Sequence, residues 1–217
     1  LTASYPLPDI DTVQPHGVLL ITATLDTIED FDPVVTRPVT DTALPEPELN
    51  PEIGWMPARP FVVNNAGESP RLAATFALFN ARTSELRLIK EATIKVLGAS
   101  SANTDYVPPQ ISNSSVVIAG QQVAISAEVS DSDSEVNAVY ATFISSTDIW
   151  TVPLARDADD LTGEIWTWDG NAAAPWFEVS YFIQAVDRAG NVGLAAAKSD
   201  YLSVDLPTLY LPLVFRQ

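Results

Sequence analysis

Apolar and polar residues alternate with a period of two in the second half of the chain. Between residues 122 and 131 the apolar side chains occupy every second position: Val123, Ile125, Ala127 and Val129. A second run places apolar side chains on one face, namely Phe177, Val179, Tyr181, Ile183 and Ala185. The opposite face of that run carries polar side chains, namely Glu178, Ser180 and Gln184. This period predicts half-buried antiparallel strands with one face toward the core and one toward solvent.

Further short apolar segments separated by turn residues extend this pattern. The sequence predicts strands over 115–119, 122–131, 136–146, 149–156, 164–169, 177–186 and 192–204. About seven short strands in about 100 residues are typical of a β-sandwich. The predicted fold class is therefore mostly β, with two β-sandwich-like domains.

One motif closes the second domain. Tyr181 lies within the predicted strand 177–186 and begins the sequence pattern Y-x-x-x-A-x-D, and the turn that follows contains Gly190 and Asn191. This stretch resembles the end of bacterial immunoglobulin-like or fibronectin type III-like domains. The resemblance implies a module that binds, spaces or supports other domains, and that rarely catalyses a reaction.

The chain divides near Pro108-Pro109, since consecutive prolines cannot continue a β-ladder. We expect an irregular, proline-rich β domain over 1–107, an immunoglobulin-like sandwich over 108–206 and an apolar C-terminal tail over 207–217. The first domain has predicted strands over 16–25, 61–63, 71–79 and 86–97, and a proline-rich loop over 31–60. The tail is either a sorting or anchoring tag or a last strand that packs on the first domain.

The segment 84–97 is compatible with two structures. Ser84 is a suitable helix cap and Gly98 a suitable helix end, but Leu86, Leu88, Ile94 and Val96 alternate as in a strand. The stretch 71–96 contains N-x-x-T-x-x-L-R-L, starting at Asn80, and resembles a hairpin of gingipain-type peptidase propeptide regions. We favour strands over a helix here.

Composition excludes several function classes. The net charge of −17 opposes binding to nucleic acid or to an anionic membrane surface. The absence of cysteine excludes a disulfide framework, a thiolate zinc site and a cysteine nucleophile. No apolar run reaches the ~20 residues that a transmembrane helix needs. Because the chain starts at Leu1 and shows no signal peptide, we expect a piece of a larger, secreted or cell-surface bacterial protein.

Catalytic motifs are missing. The sequence has no G-x-S-x-G, H-E-x-x-H, P-loop or dinucleotide fingerprint. A serine triad would have to use His16, the single histidine, and a lone histidine is more often structural. We predict that the chain is not an enzyme; a deep pocket around His16 would favour the opposite.

Acidic residues are concentrated in loops that a sandwich brings to one end. We expect Asp131, Asp133, Glu135, Asp187 and Asn191 to lie near one another, with 157–160 close by. Clustered oxygen ligands suit Ca²⁺, although the EF-hand pattern is incomplete. The alternative is a set of solvated turn residues that bond their own backbone.

Four tryptophans lie close together in the sequence: Trp150, Trp166, Trp168 and Trp176. They form either a sugar-stacking platform or part of the core, and the shared face of Trp166 and Trp168 favours the core. The predicted function is a non-catalytic structural or interaction region that spaces or supports an upstream domain, a peptidase being one candidate. The alternative is a carbohydrate-binding or adhesive module. The expected partners are upstream domains of the same polypeptide, with a cell-surface protein or polysaccharide as further candidates.

Overall fold

The computed structural model describes residues 2–7, 13–33, 55–57, 59–65, 69–119, 122–171, 179–195 and 202–203. Every regular element in these ranges is a β-strand, which confirms the mostly-β prediction. We call residues 1–107 the first part and the residues from 108 onward the second part. The strands of the first part are β1 Thr2–Pro6, β2 Val13–Ile28, β3 Trp55–Met56, β4 Phe61–Asn64, β5 Arg71–Thr75, β6 Ala77–Asn80 and β7 Glu85–Ser100. Those of the second part are β8 Gln110–Ala119, β9 Gln122–Ser130, β10 Val136–Ile144, β11 Asp148–Arg156, β12 Ile165–Asn171, β13 Ser180–Asp187, β14 Val192–Ala195 and β15 Leu202–Ser203. In these ranges no helix is long and apolar enough to cross a bilayer.

The strands form a small and a large antiparallel sheet. The small sheet has the order β1-β5-β4. The large sheet follows the order β14-β13-β10-β11-β2-β7-β6-β3, and β15 pairs with β13. The last two residues of β11 leave β10 and pair with β12, which continues to β9 and β8. Strand β11 therefore connects the β8-β9-β12 group to the rest of the large sheet.

The core of the second part lies between β9 and β12 on one side and β10, β11 and β13 on the other. One buried cluster contains residues of all five strands. The inward positions predicted for β9 are at most 2% exposed: Val123, Ile125, Ala127 and Val129. This confirms the alternation in β9. The immunoglobulin-like or fibronectin-like identity of the unit stays a prediction.

Strand β13 is buried on both faces, so the prediction that the Gln184 face meets solvent is wrong. Tyr181, Ile183 and Ala185 join the core cluster as predicted. On the opposite face, Phe182 is 5% and Gln184 only 1% exposed. The reason is tertiary: Phe182 packs in a second cluster that includes residues of β2 and β11, and these strands exclude water from the face.

Strands β2 and β7, of 16 residues each, are the long central strands of the first part. They pair from Val13 with Ser100 to Ile28 with Leu86, with three register shifts. Residues 85–97 thus belong to a strand and not to a helix, as favoured from the sequence, and Ser84 lies in the turn before it. The predicted strand over 71–79 is divided into β5 and β6 at Phe76. Of the proline-rich segment 31–60, residues 34–54 and 58 lie outside the described residues.

The expected domain boundary near residue 107 does not interrupt the sheet. Residues 22–24 of β2 pair with residues 148–150 of β11. The second cluster combines Leu20 and Leu25 with Ile144 and Phe182, so the core also extends across the boundary. The division into two domains stays a prediction.

The predicted apolar tail, 207–217, lies outside the described residues.

Candidate functional site

The three acidic loops meet at one end of the second part, as the sequence predicted. Val136 pairs with Asp187, and the backbone N–H of Arg188 donates to the carbonyl of Glu135 at 3.1 Å. The Arg156 guanidinium donates to the carbonyl of Val136 at 2.9 Å, which brings the loop after β11 to the same place. The loops after β9, β11 and β13 therefore lie at the same end of the second part.

Most acidic side chains at this end bond their own loops. Asp131 Oδ1 accepts from the backbone N–H groups of Asp133 at 3.0 Å and Ser134 at 2.6 Å. Asp160 accepts from the backbone N–H of Ile165, from the Thr162 hydroxyl and from further N–H groups of the loop. These bonds, that of Ile165 first, lower the pKa of Asp160 from 3.8 to about 2. The loops thus use their carboxylates as turn caps.

Arginine supplies positive charge at this end. Glu135 forms ion pairs with Arg188 at 2.6 Å and Arg156 at 3.5 Å. In the described part of the chain, no group of three or more histidine, aspartate or glutamate side chains is placed to hold a metal ion. The calcium site proposed for Asp131, Asp133, Glu135, Asp187 and Asn191 therefore stays a prediction that these contacts do not support.

Asp187 and Asn191 have a structural task that sequence reasoning missed. They are 1% and 4% exposed. Asp187 Oδ1 accepts from the backbone N–H of Asn191 at 2.8 Å, and Oδ2 accepts from Asn191 Nδ2 at 2.8 Å. Gly190 takes a φ of +83° between them, a conformation that favours glycine. The hairpin between β13 and β14 is thus closed by a buried carboxylate–amide pair.

Asn191 extends this pair to His16 and to the connector, which is the segment 101–109 between β7 and β8. Its Nδ2 also lies 3.2 Å from the carbonyl of Asp105 and 3.4 Å from that of Val107. Its Oδ1 lies 3.2 Å from His16 Nδ1. Because these donor contacts assign the amide orientation, Oδ1 accepts and His16 Nδ1 carries the proton.

The close approach of backbones completes this junction. A Cβ at Gly17 would lie 2.6 Å from the carbonyl oxygen of Gly190, so only glycine fits there without movement. The His16 ring stacks on Tyr106 with a centroid distance of 4.7 Å and an interplanar angle of 14°. We call Asp187, Asn191, His16 and Tyr106 the junction cluster. It joins β2, the connector before β8, and the β13–β14 turn.

His16 also lines a cavity of about 80 Å³. The walls come from β2, β4, β13 and β14 and are mostly apolar, with Val18, Leu20, Phe61, Phe182, Val192 and Leu194 among them. The polar side chains of the lining are those of His16, Arg59 and Gln184. His16 Nε2 is buried and has no hydrogen-bond partner among the described residues. A pocket at His16 is thus present, but its described lining contains no hydroxyl or carboxylate side chain for a nucleophile or an acid.

Arg59 contributes the positive charge of the cavity. Arg59 is an exposed residue, and partial desolvation by its neighbours lowers the pKa of its guanidinium from the ordinary value. The ion pairs found between described residues involve Arg87, Lys90, Arg156 and Arg188, and none involves Arg59. In a chain of net charge −17, this arginine has no acidic partner among the described side chains.

The described tryptophans pack against the core. Trp166 is 6% exposed, and the Arg156 guanidinium lies 5.0 Å above its ring. Trp150 stacks on Phe143 at a centroid distance of 5.3 Å, and Trp168 lies 6.2 Å from the same ring. Trp176 lies outside the described residues.

Sequence signals for the missed residues were weak but present. Gln184 lies between Phe182 and Val186, so the supposedly exposed face of β13 is itself largely apolar. Asparagine is a common turn residue, so the sequence predicts Asn191 in the turn where it lies. Only the tertiary contacts show that its side chain reaches His16.

No protein-family model matches this chain, and comparison with curated proteins and with solved structures gives no significant match.

Proposed function

We propose that this chain is a non-catalytic structural region that spaces or supports an upstream domain of a larger secreted or cell-surface bacterial protein. The observation that carries the proposal is the pair of buried polar links across residue 107. A spacer holds the orientation of its neighbours only if its own parts do not move relative to each other.

Gln184 forms the first link. Its Oε1 accepts from the backbone N–H of Leu20 at 3.1 Å, and its Nε2 donates to the carbonyl of Leu20 at 2.9 Å. The same Nε2 lies 2.6 Å from Thr142 Oγ1. The Gln184 amide thus bonds the backbone of β2 in the same way as the backbone of a neighbouring strand would.

The junction cluster forms the second link, at the end of β13. The bonds of Asn191 to Asp187 are local and buried, whereas those to His16, Asp105 and Val107 are part-buried and join residues 84 or more positions apart. Buried polar groups are costly unless they are satisfied, so such networks favour one arrangement of the packed parts over all others. This supports a rigid unit.

Composition is compatible with the proposed extracellular location but does not select it. A strongly acidic surface favours solubility, and a chain without cysteine needs no particular redox compartment. The immunoglobulin-like or fibronectin-like module is supported by the order β8-β9-β12 facing β14-β13-β10-β11 over one shared core. Upstream domains of the same polypeptide are the proposed partners.

Carbohydrate binding through tryptophans is the second candidate. A sugar platform needs exposed rings, whereas Trp150, Trp166 and Trp168 pack against the core. Trp176 lies outside the described residues, so the carbohydrate-binding candidate now depends on this tryptophan. Glycan-array binding that disappears in Trp176→Ala but persists in Trp168→Ala would favour it over the spacer.

Backbone ¹⁵N relaxation of the whole chain tests the spacer. We expect one rotational correlation time for amides of β2, β7, β9, β10 and β13. In Asn191→Ala the order parameters of the amides at 105–107 and in the β13–β14 turn should fall, because these segments lose their side-chain link, while Asn137→Ala, at an exposed position of β10, should leave them unchanged. Two correlation times in the wild-type protein would contradict the rigid spacer.

A further inference from the structure

We propose that the outer edge of β8, over residues 113–119, pairs with the same edge of a second copy of this chain in an antiparallel, two-fold symmetric dimer. The strand group β12-β9-β8 then continues into the corresponding strands of the other copy. The inference goes beyond the proposed structural function, since a spacer works as a monomer.

The first argument is the unpaired edge. Strand β8 forms a ladder with β9 on one side and pairs with no other strand among the described residues. After a register shift between Ile111 and Asn113, this ladder is regular as far as Ala119. The backbone groups of a regular antiparallel strand alternate between its two edges, so the outer edge of β8 offers N–H and C=O groups to another strand.

The second argument is the composition of this edge. Natural edge strands are protected by charged side chains, especially lysine, and by proline. Residues 110–119 contain neither a charged residue nor a proline, although 18% of the whole chain is charged. Val117, within the free stretch, is 60% exposed. The β8 edge therefore lacks the side chains that would keep a further strand away.

The outer edge of β7 shows the contrast. From Lys90 to Ser100, β7 pairs with β2 on one side and with none of the described strands on the other. This edge carries Lys90, Glu91 and Lys95, all of them exposed. Of the two long free edges in the described part of the chain, β7 has the protected kind and β8 the kind that accepts a strand.

The third argument is that charge selects the occupant. Two copies of net charge −17 repel each other wherever acidic surfaces meet. Contact through β8 opposes no like charges, because the strand has none. An antiparallel edge is also self-complementary about a two-fold axis, since the N–H and C=O groups of one copy meet the C=O and N–H groups of the other. A basic partner, in contrast, would find no acidic side chain on β8.

The mass in solution tests the proposal on the whole chain. Sedimentation equilibrium from about 1 µM to about 1 mM covers the affinities expected of a small interface. We expect the average mass to rise from 23.4 kDa toward twice this value. Because salt screens the repulsion between acidic copies, added NaCl should strengthen the association. A mass of 23.4 kDa at every concentration would overturn the dimer and leave the spacer function standing.

Charged substitutions locate the interface. Ser115 is exposed within the free stretch, and Ser115→Lys and Ser115→Asp should each weaken the association about fivefold or more by placing like charges along the shared edge. The lysine variant separates this effect from net charge, since it makes each copy less acidic. Ser132→Lys makes the same change in the exposed loop after β9 and should not weaken the association. Association of Ser115→Lys as strong as that of the wild type would overturn the proposal.

Hydrogen exchange identifies the occupant without any substitution. Measured by mass spectrometry on the wild type, the amides of 113–119 should exchange more slowly at about 1 mM than at about 1 µM. The amides of 90–100, on the β7 edge, should exchange at the same rate at both concentrations. Slow exchange of 113–119 at both concentrations would show that a segment of the same chain covers the edge, and fast exchange at both would show that nothing pairs with it. Either result would overturn the proposal.

Discussion

The two faces of β13 are buried to the same degree but are held by different chemistry. The face of Tyr181, Ile183 and Ala185 packs in an apolar cluster with β9, β10 and β12. The face of Phe182 and Gln184 packs on β2, and there an amide bonds the backbone of another strand. The first face stabilises through area removed from water. The second adds direction, because hydrogen bonds require one register between β13 and β2.

The largest expected effects compare apolar truncations on the two faces. Ile183 is 0% and Phe182 5% exposed, so Phe182→Ala should reduce the free energy of unfolding by ~3–5 kcal/mol and Ile183→Ala by ~2–5 kcal/mol. Urea denaturation measures both. Val117→Ala, at a side chain 60% exposed, is the control and should change it by less than ~0.5 kcal/mol. A loss of a few tenths for Phe182→Ala would show that β2 does not cover this face in solution.

Replacing the amide sharpens the comparison. Gln184→Leu keeps a similar volume but leaves the Leu20 N–H and the Thr142 hydroxyl without this partner. We expect a loss of ~1–3 kcal/mol in urea denaturation. Gln122→Leu, at an exposed position of β9, should cost much less. A stability equal to the wild type would mean that the polar link is replaceable by apolar packing.

The carboxylate of Asp160 bonds only its own loop, whereas the amide of Gln184 bonds a distant strand, so the two residues allow a local and a long-range contribution to stability to be compared. Its pKa is lowered to about 2 in the folded chain from an ordinary value of 3.8. A lowered folded-state pKa stabilises the protein above pH 3.8, and this contribution disappears as the pH falls toward 2. Wild type should therefore be more stable than Asp160→Asn at pH 7, and the difference should shrink between pH 4 and pH 2. A difference independent of pH would exclude this linkage.

The smallest expected effect is that of Ca²⁺ on thermal stability, through the acidic loops that follow β9, β11 and β13. Since Glu135 already pairs with Arg156 and Arg188, and Asp131 and Asp160 cap their own loops, millimolar Ca²⁺ should not shift the midpoint of thermal unfolding. Measurement with Ca²⁺ and then with chelator, at fixed ionic strength, checks this. A higher midpoint that Asp131→Asn abolishes would restore the calcium hypothesis.

The second part was more predictable than the first because its strands carry their pattern locally. Val123 to Val129 alternate strictly, and turn residues mark the ends of β9 and β13. The expectation that a sandwich brings the acidic loops to one end agrees with where these loops lie. It could not say what neutralises them, since Arg156 and Arg188 reach Glu135 only through the antiparallel pairing of β10 with β11 and β13. The break at Phe76 between β5 and β6 was likewise invisible in an apolar run.

The sequence by itself determined the strands and their inward faces, because side-chain alternation is a local property of an extended chain. It also determined that segment 84–97 is better suited to a strand, through the alternation of Leu86, Leu88, Ile94 and Val96. Only the tertiary structure decided that the second face of β13 is buried, and that Asn191 connects Asp187 to His16. These contacts join residues more than 160 positions apart in two cases, Gln184 with Leu20 and Asn191 with His16. No local pattern specifies such pairs, since they depend on which strand lies beside which.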